Sequence, residues 1–259
     1  MQALMRPWGH LHYRVDGAPD GPTVVFANSL GTDLRLWDAI LPFLPSRFRV
    51  IRFDKRGHGL SDFGGAALIE DYADDAIALI EATASAQVIF VGLSIGGLIA
   101  QAVAAKRPDL IRALVISNSA AKLGTTEGWQ TRINAVIDAG LGSIVDAVME
   151  RWFAPKFRAT PELALWRNMM LRTPPRGYTA ACAALARADQ TEATRRLRLP
   201  ALVIAGAEDG ASAPEVVQAT AALIKGAEYR LLAGVGHLPC VEDPAAYAAA
   251  LVPFLETHL

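Results

Sequence analysis

Seven short runs rich in β-branched and aliphatic residues punctuate the chain: HLHYRV, TVVFA, RVIRF, QVIFV, ALVIS, ALVIA and EYRLL. Several are apolar at consecutive rather than alternating positions, so both faces of those strands must be covered. Between several of them lie helical patterns such as DYADDAIALIEATA and Ile95 to Lys106. Doubly buried strands alternating with amphipathic helices predict an α/β fold, a mostly parallel central sheet with helices on both faces.

The alternation breaks after ALVISNSAA. Residues 122–195 carry no strand pattern and instead read as TEGWQTRINAVIDAG, SIVDAVMERWF, PELALWRNMMLR and GYTAACAALARA, with Pro155, Pro161, Pro174 and Pro175 dividing them into short helices. Strand pattern resumes at ALVIA. The expected organisation is therefore a core of residues 1–121 and 196–259, interrupted by a helical lid at 122–195. Ligands of open α/β sheets bind at the carboxyl ends of the strands, where such an insertion covers them.

Bulk properties narrow the function. A chain of 259 residues suits one domain, and 52% hydrophobic residues suffice for its core. The net charge is −1 and the 25 basic residues form no run, which argues against a nucleic-acid partner. Cys182 and Cys240 sit far apart, outside metal-type spacing, as expected for a reduced, cytoplasmic setting. The N-terminal segment has no apolar core of signal-peptide length. Val88 to Ala105 carries no charge over 18 residues, near the lower limit of a membrane span. Its first part reads as strand, and Gly92, Ser94, Gly96, Gly97 and Gln101 interrupt it, so burial in a globular core is expected. No His/Cys cluster or phosphate-cradling glycine loop appears. No cofactor or metal, no membrane association and no obligate protein partner are therefore expected.

Gly92-Leu93-Ser94-Ile95-Gly96 matches the G-x-S-x-G pattern, with the strand QVIFV before it and the helix IGGLIAQAVAAK after it. An ordinary glycine turn also fits those five residues, but the flanking elements favour a nucleophile. A sharp bend holds such a serine in a strained conformation, and side chains two positions away on either side would collide. The hydroxyl then stands at the head of a helix, where backbone N–H groups favour developing negative charge.

Enzymes built on this bend order their triad as serine, acid, histidine. Two histidines follow Ser94; His258 is penultimate, which leaves His237 in LLAGVGHLPCVEDP as the base. The strand ALVIAG delivers Glu208 and Asp209. Asp209 is favoured because Pro214 opens the next helix and the Gly-x-x-Asp spacing carries the carboxylate past the sheet edge; Glu208 remains the alternative. The expected roles are Ser94 as nucleophile, His237 as general base and then acid, and Asp209 as the group that fixes the imidazole tautomer. The oxyanion hole would use the backbone N–H groups of Ile95 and, from NSLGTDLRLWD, Leu30.

These residues resemble the α/β-hydrolase family over the whole chain. FDKRGHGLSD (Phe53 to Asp62) looks like that family's loop after its fourth strand, and GVGHLPCVEDPAAY like its histidine segment. The resemblance implies that His58 is structural. A closer resemblance is to the 3-oxoadipate enol-lactonases of aromatic breakdown, carried by FANSLGTDLRLWD, GLSIGGLIAQ, GWQTRINAV, ERWFAP and YTAACAALARADQTEA. Two departures stand out: Lys55, where threonine or glutamine is commoner, and Ala207-Glu208 before Asp209. The resemblance implies hydrolysis of a lactone bearing a carboxylate. Trp129 and Arg132 share a helix face and become candidates to wall the ring and bind the carboxylate; Arg151, Arg187 and Lys122 are rivals. Other ester hydrolases, carbon–carbon bond hydrolases and perhydrolases of the same fold share the core, as do receptors that sense a ligand through the lid.

Overall fold

The structure is a computed structural model and describes residues 1–84 and 86–259. Among these, eight strands form one sheet: β1 (Gln2–Arg6), β2 (Gly9–Gly17), β3 (Thr23–Ala27), β4 (Arg49–Phe53), β5 (Val88–Leu93), β6 (Ile111–Ser117), β7 (Ala201–Gly206) and β8 (Glu228–Leu232). Their order is β1-β2-β4-β3-β5-β6-β7-β8. The β1–β2 and β2–β4 pairs are antiparallel, and every later pair is parallel. The α/β-hydrolase fold expected from the sequence is present.

The strand sequences explain this order. TVVFA, VIFVGL and ALVIAG are buried at every position, so β3, β5 and β7 occupy the interior of the sheet. The edge strand β8 has only exposed and half-buried residues and carries an ion pair between Arg230 and Glu228 at 2.7 Å, charges that discourage pairing with a further strand. β1, QALMR, has no strand signature of its own. It forms because the antiparallel register Gln2↔Tyr13 to Arg6↔Gly9 satisfies its backbone against β2.

Helices cover both faces. α1 (Ile69–Thr83) packs on α2 (Ile95–Lys106), which lies over β5 and β6, while α11 (Pro244–His258) packs on a 3-10 segment at Leu34–Phe43. Asp33 caps that segment by accepting the N–H of Arg35 at 3.0 Å, and Leu34, Leu36, Trp37 and Ile40 turn into the core. Between β6 and β7 come α3 (Thr126–Ala139), α4 (Val145–Trp152), α5 (Pro155–Arg158), α6 (Leu163–Leu171), α7 (Pro175–Arg187) and α8 (Thr191–Arg195). α9 (Pro214–Leu223) and the short α10 (Pro239–Glu242) complete the chain. The uncharged stretch from Val88 splits into β5 and α2, and no helix among the described residues is long and apolar enough to cross a membrane.

Candidate active site

Ser94 stands between β5 and α2 with φ 60° and ψ −121°, a conformation few non-glycine residues adopt. The backbone is held there from both sides. Its N–H donates to Ser117 O at 3.0 Å, and its carbonyl accepts from Gly97 N at 2.8 Å and Ser119 Oγ at 2.6 Å. The neighbouring glycines are obligatory: a Cβ on Gly92 would lie 2.1 Å from Gly96 O, and one on Gly96 2.2 Å from Ala27 O. A serine at a helix N-cap ordinarily spends its hydroxyl on a backbone N–H of the first turn. Ser94 makes no such bond, so the hydroxyl is left for other work.

His237 follows β8 on a loop with little freedom. Its N–H donates to Trp152 O at 2.7 Å, and a Cβ on Gly236 would collide with that same carbonyl at 2.6 Å. Nδ1 lies 2.8 Å from Asp209 Oδ2. Asp209 is buried and accepts from the N–H of Ala211 (2.7 Å) and Ser212 (2.9 Å) on Oδ1, and from Ser212 Oγ (2.6 Å) and Asn118 Nδ2 (3.0 Å) on Oδ2. Burial alone would raise its pKa, but the histidine charge and the converging hydrogen bonds outweigh that and hold it below the usual carboxylate value. An ionised Asp209 requires Nδ1 to carry the proton, leaving Nε2 as the acceptor. Glu208, by contrast, is exposed and forms no hydrogen bond or ion pair with His237 among the described residues.

Ser94, His237, Ser29, Leu30, Trp129, Arg132, Arg151 and Tyr178 line one cavity of about 130 Å³. Leu30 and Ile95 are buried, yet neither backbone N–H has a protein acceptor among the described residues. Backbone N–H groups in a protein interior are nearly always paired, so these two amides, close in sequence to Ser94 or beside it in the cavity, are free to meet another acceptor.

From α3, Trp129 anchors its indole N–H on Leu123 O at 2.7 Å, and the Arg132 guanidinium lies 5.0 Å from the Trp129 ring centroid. Arg151 shares the cavity; burial, then the neighbouring Arg132 charge, lowers its pKa. The fully buried Tyr178 hydroxyl has no partner there. Lys122 instead pairs with Asp189 at 3.3 Å on the surface, and Arg187 lies in a separate pocket beside Ala180 and Ala183. His58 is fully buried away from this cavity, with Nδ1 3.3 Å from Arg56 O.

Three residues that the sequence reading passed over complete the site. Asn118, at the end of β6 with φ 45°, holds both Asp209 and, at 3.1 Å, the carbonyl of Gly236. Ser212 closes a turn over Asp209, a local pattern already suggested by D-G-A-S, since aspartate side chains commonly accept the N–H groups two and three residues on. Trp152 stacks on the imidazole with centroids 6.5 Å apart and 24° between planes. No local signal marks Asn118, and Trp152 lies in ERWFAP, which the resemblance singles out without giving this residue a role. A further tie comes from Glu242, whose two oxygens accept Ala154 N and Gly236 N, each at 2.8 Å. The end of α4 is joined to the acid loop as well, by Gly210 N to Arg151 O at 3.1 Å.

Comparison with known proteins agrees with this architecture. A family profile described as alpha/beta hydrolase fold matches residues 22–244. A 3-oxoadipate enol-lactonase from Acinetobacter baylyi is 34% identical over 93% of this chain and 91% of its own. The crystal structure of the enol-lactonase from Burkholderia xenovorans LB400 superposes with a TM-score of 0.95 at 35% identity, covering 98% of this chain and 100% of that one. A malate-bound thermophilic esterase from Thermogutta terrifontis superposes at 0.92, with 29% identity and 100% of both chains covered.

Proposed function

The chain belongs to the α/β-hydrolase family, and within it we propose that it is a serine hydrolase that opens 3-oxoadipate enol-lactone to 3-oxoadipate. The observation that carries this reading is the small cavity that gathers Ser94, His237, Leu30 with its unengaged N–H, and the Trp129–Arg132 pair. The relatives named 3-oxoadipate enol-lactonase support the choice of substrate. The malate found in the esterase neighbour supports a small carboxylate ligand.

In this reading the reaction runs through an acyl-enzyme. Ser94 Oγ attacks the lactone carbonyl carbon while His237 Nε2 takes the hydroxyl proton. The carbonyl oxygen becomes an oxyanion facing Leu30 N–H and Ile95 N–H. The tetrahedral carbon then expels the ring oxygen, an enol that leaves more readily than an alkoxide, and His237 returns the proton to it. The ring opens without release, because the enol is tethered to the acyl-enzyme. Tautomerisation to the ketone disfavours reclosure. Water then attacks the ester with its proton passing to His237, and the C–O bond to Ser94 breaks as that proton returns to Oγ. Asp209 holds Nδ1–H throughout and stabilises the transient imidazolium. Helices α3 to α8 act in this reading as the lid, with Trp129 against the ring and Arg132 on the substrate carboxylate; Arg151 lines the same wall.

Steady-state hydrolysis of 3-oxoadipate enol-lactone, measured beside a neutral butyrolactone and a nitrophenyl ester, tests the assignment. The enol-lactone should be preferred in kcat/KM. Arg132→Met should raise KM for the lactone acid about tenfold or more while sparing the neutral ester, the loss of one charge-assisted hydrogen bond. Equal effects on both substrates would count against carboxylate recognition by Arg132. A preference for the neutral esters in the parent protein would favour a general esterase.

A further inference from the structure

Lys55 follows β4, is 1% exposed, and forms no salt bridge among the described residues. Its Nζ donates to Ser29 O at 2.5 Å and to Thr32 O at 3.2 Å. Those two carbonyls bracket the turn that carries Leu30. Ser29 O also accepts from Thr32 Oγ1 at 2.9 Å, and Thr32 O from Asn28 Nδ2 at 2.8 Å, so the turn is fastened from its core side at both ends.

Ser29 O and the N–H of Leu30 belong to one peptide group. The bond is trans, since the chain has no cis peptides, and in a trans peptide the C=O and N–H point in opposite directions. Gripping the oxygen from the core therefore aims the hydrogen the other way, toward the cavity that Ser29, Leu30 and Ser94 line. A donor on the carbonyl also polarises the peptide and strengthens its N–H as a donor. We propose that Lys55 is a positioning residue for the oxyanion site, fixing the plane of the Ser29–Leu30 peptide so that the Leu30 N–H faces the substrate carbonyl.

This assignment rests on Ser94 being the nucleophile, and it explains a feature with no other evident use. An ammonium is a costly group to bury, and burial pulls the Lys55 pKa down to about 7 against the favourable charges of Asp54 and Asp33. Packing alone would be served by methionine. Both the protonated and the neutral amine carry the two N–H bonds that the turn requires.

The test uses the full-length protein, a fluorophosphonate probe that forms a phosphorus-centred oxyanion as it labels the serine, and Lys55→Met beside Lys55→Gln. Methionine keeps the shape and removes the donors; glutamine keeps donors on a shorter side chain without charge. The parent should label at Ser94. Lys55→Met should label about tenfold to a hundredfold more slowly, up to the loss caused by removing an oxyanion donor, with an unchanged or raised melting temperature because a buried charge is gone. Lys55→Gln should fall between the two. Labelling of Lys55→Met as fast as the parent would overturn the positioning role alone. So would slowing in both variants that merely tracks a lower melting temperature. A parent that does not label at Ser94 would remove the nucleophile reading, and this inference with it.

Discussion

Replacing Gly96 by alanine tests whether the close approach of α2 to β3 sets the geometry of the oxyanion site proposed at the Leu30 and Ile95 N–H groups. The added Cβ would lie 2.2 Å from Ala27 O and 2.7 Å from its carbonyl carbon. Real Cβ atoms essentially never approach within 3.0 Å, so the gap must widen by at least 0.8 Å (3.0 − 2.2). No flexible side chain can yield. Ala27 O ends a strand paired on both sides, and α2 is buried from Ile95 through Ala104. The widening therefore separates the head of α2, with Ser94 and the Ile95 N–H, from the segment after β3 that carries the Leu30 N–H. Overpacking of this kind costs about 1–3 kcal/mol, a melting temperature lower by about 2–10 °C. A misplacement near 1 Å at the reacting centre costs on the order of a hundredfold in rate. Steady-state hydrolysis of a nitrophenyl ester, run at 25 °C where the variant remains folded, should show kcat reduced about ten- to a hundredfold with KM little changed. A melting curve measures the stability term separately. A variant that melts lower but retains the parent kcat would refute the link between this gap and the proposed oxyanion donors.

Three further outcomes follow from the geometry. Asp209→Asn should lower kcat about 10⁴-fold, because an amide in its place leaves the imidazole in the wrong tautomer; ester hydrolysis at pH 7 measures it. Glu242→Gln puts an amide nitrogen against the N–H of either Ala154 or Gly236, leaving a donor unmet at a cost of about 1–3 kcal/mol, read as a lower urea midpoint. Lys55 has a folded pKa near 7 against 10.5 for the ordinary side chain, so between those values its unfolded form binds more protons and its own contribution to stability rises with pH. Lys55→Met should remove that rise, as denaturant melts at pH 7 and pH 10 would show; an unchanged slope would mean that Lys55 titrates normally.

The legible parts of this molecule are those governed by local rules. Continuous apolar runs announce β3, β5 and β7, and glycines at fixed spacing announce the bend at Ser94. Chain order then points to Asp209 and His237, which the structure brings within 2.8 Å. β1 was not legible because QALMR becomes a strand only through pairing with β2, a tertiary effect that overrides weak propensity. The segment at Leu34–Phe43 was hidden by its proline and its irregular period. Asn118 lies 91 positions from the Asp209 carboxylate it binds, and no window of sequence spans such a contact. Among the rival cations, Arg151 lines the cavity, whereas Lys122 lies on the surface paired with Asp189. That difference exists only once the helices are packed.

Residues 151–154 have a consequence for anyone who would remodel this protein. Arg151 meets Gly210, the Trp152 carbonyl takes the His237 N–H and its ring lies along the imidazole, and Glu242 binds Ala154 to Gly236. The helical insertion is thus not a detachable module but part of what holds His237 in place. Chimeras that transplant a whole insertion from a relative would uproot the histidine. Grafts spliced on either side of this tetrapeptide would change the walls of the cavity while leaving His237 and Asp209 seated.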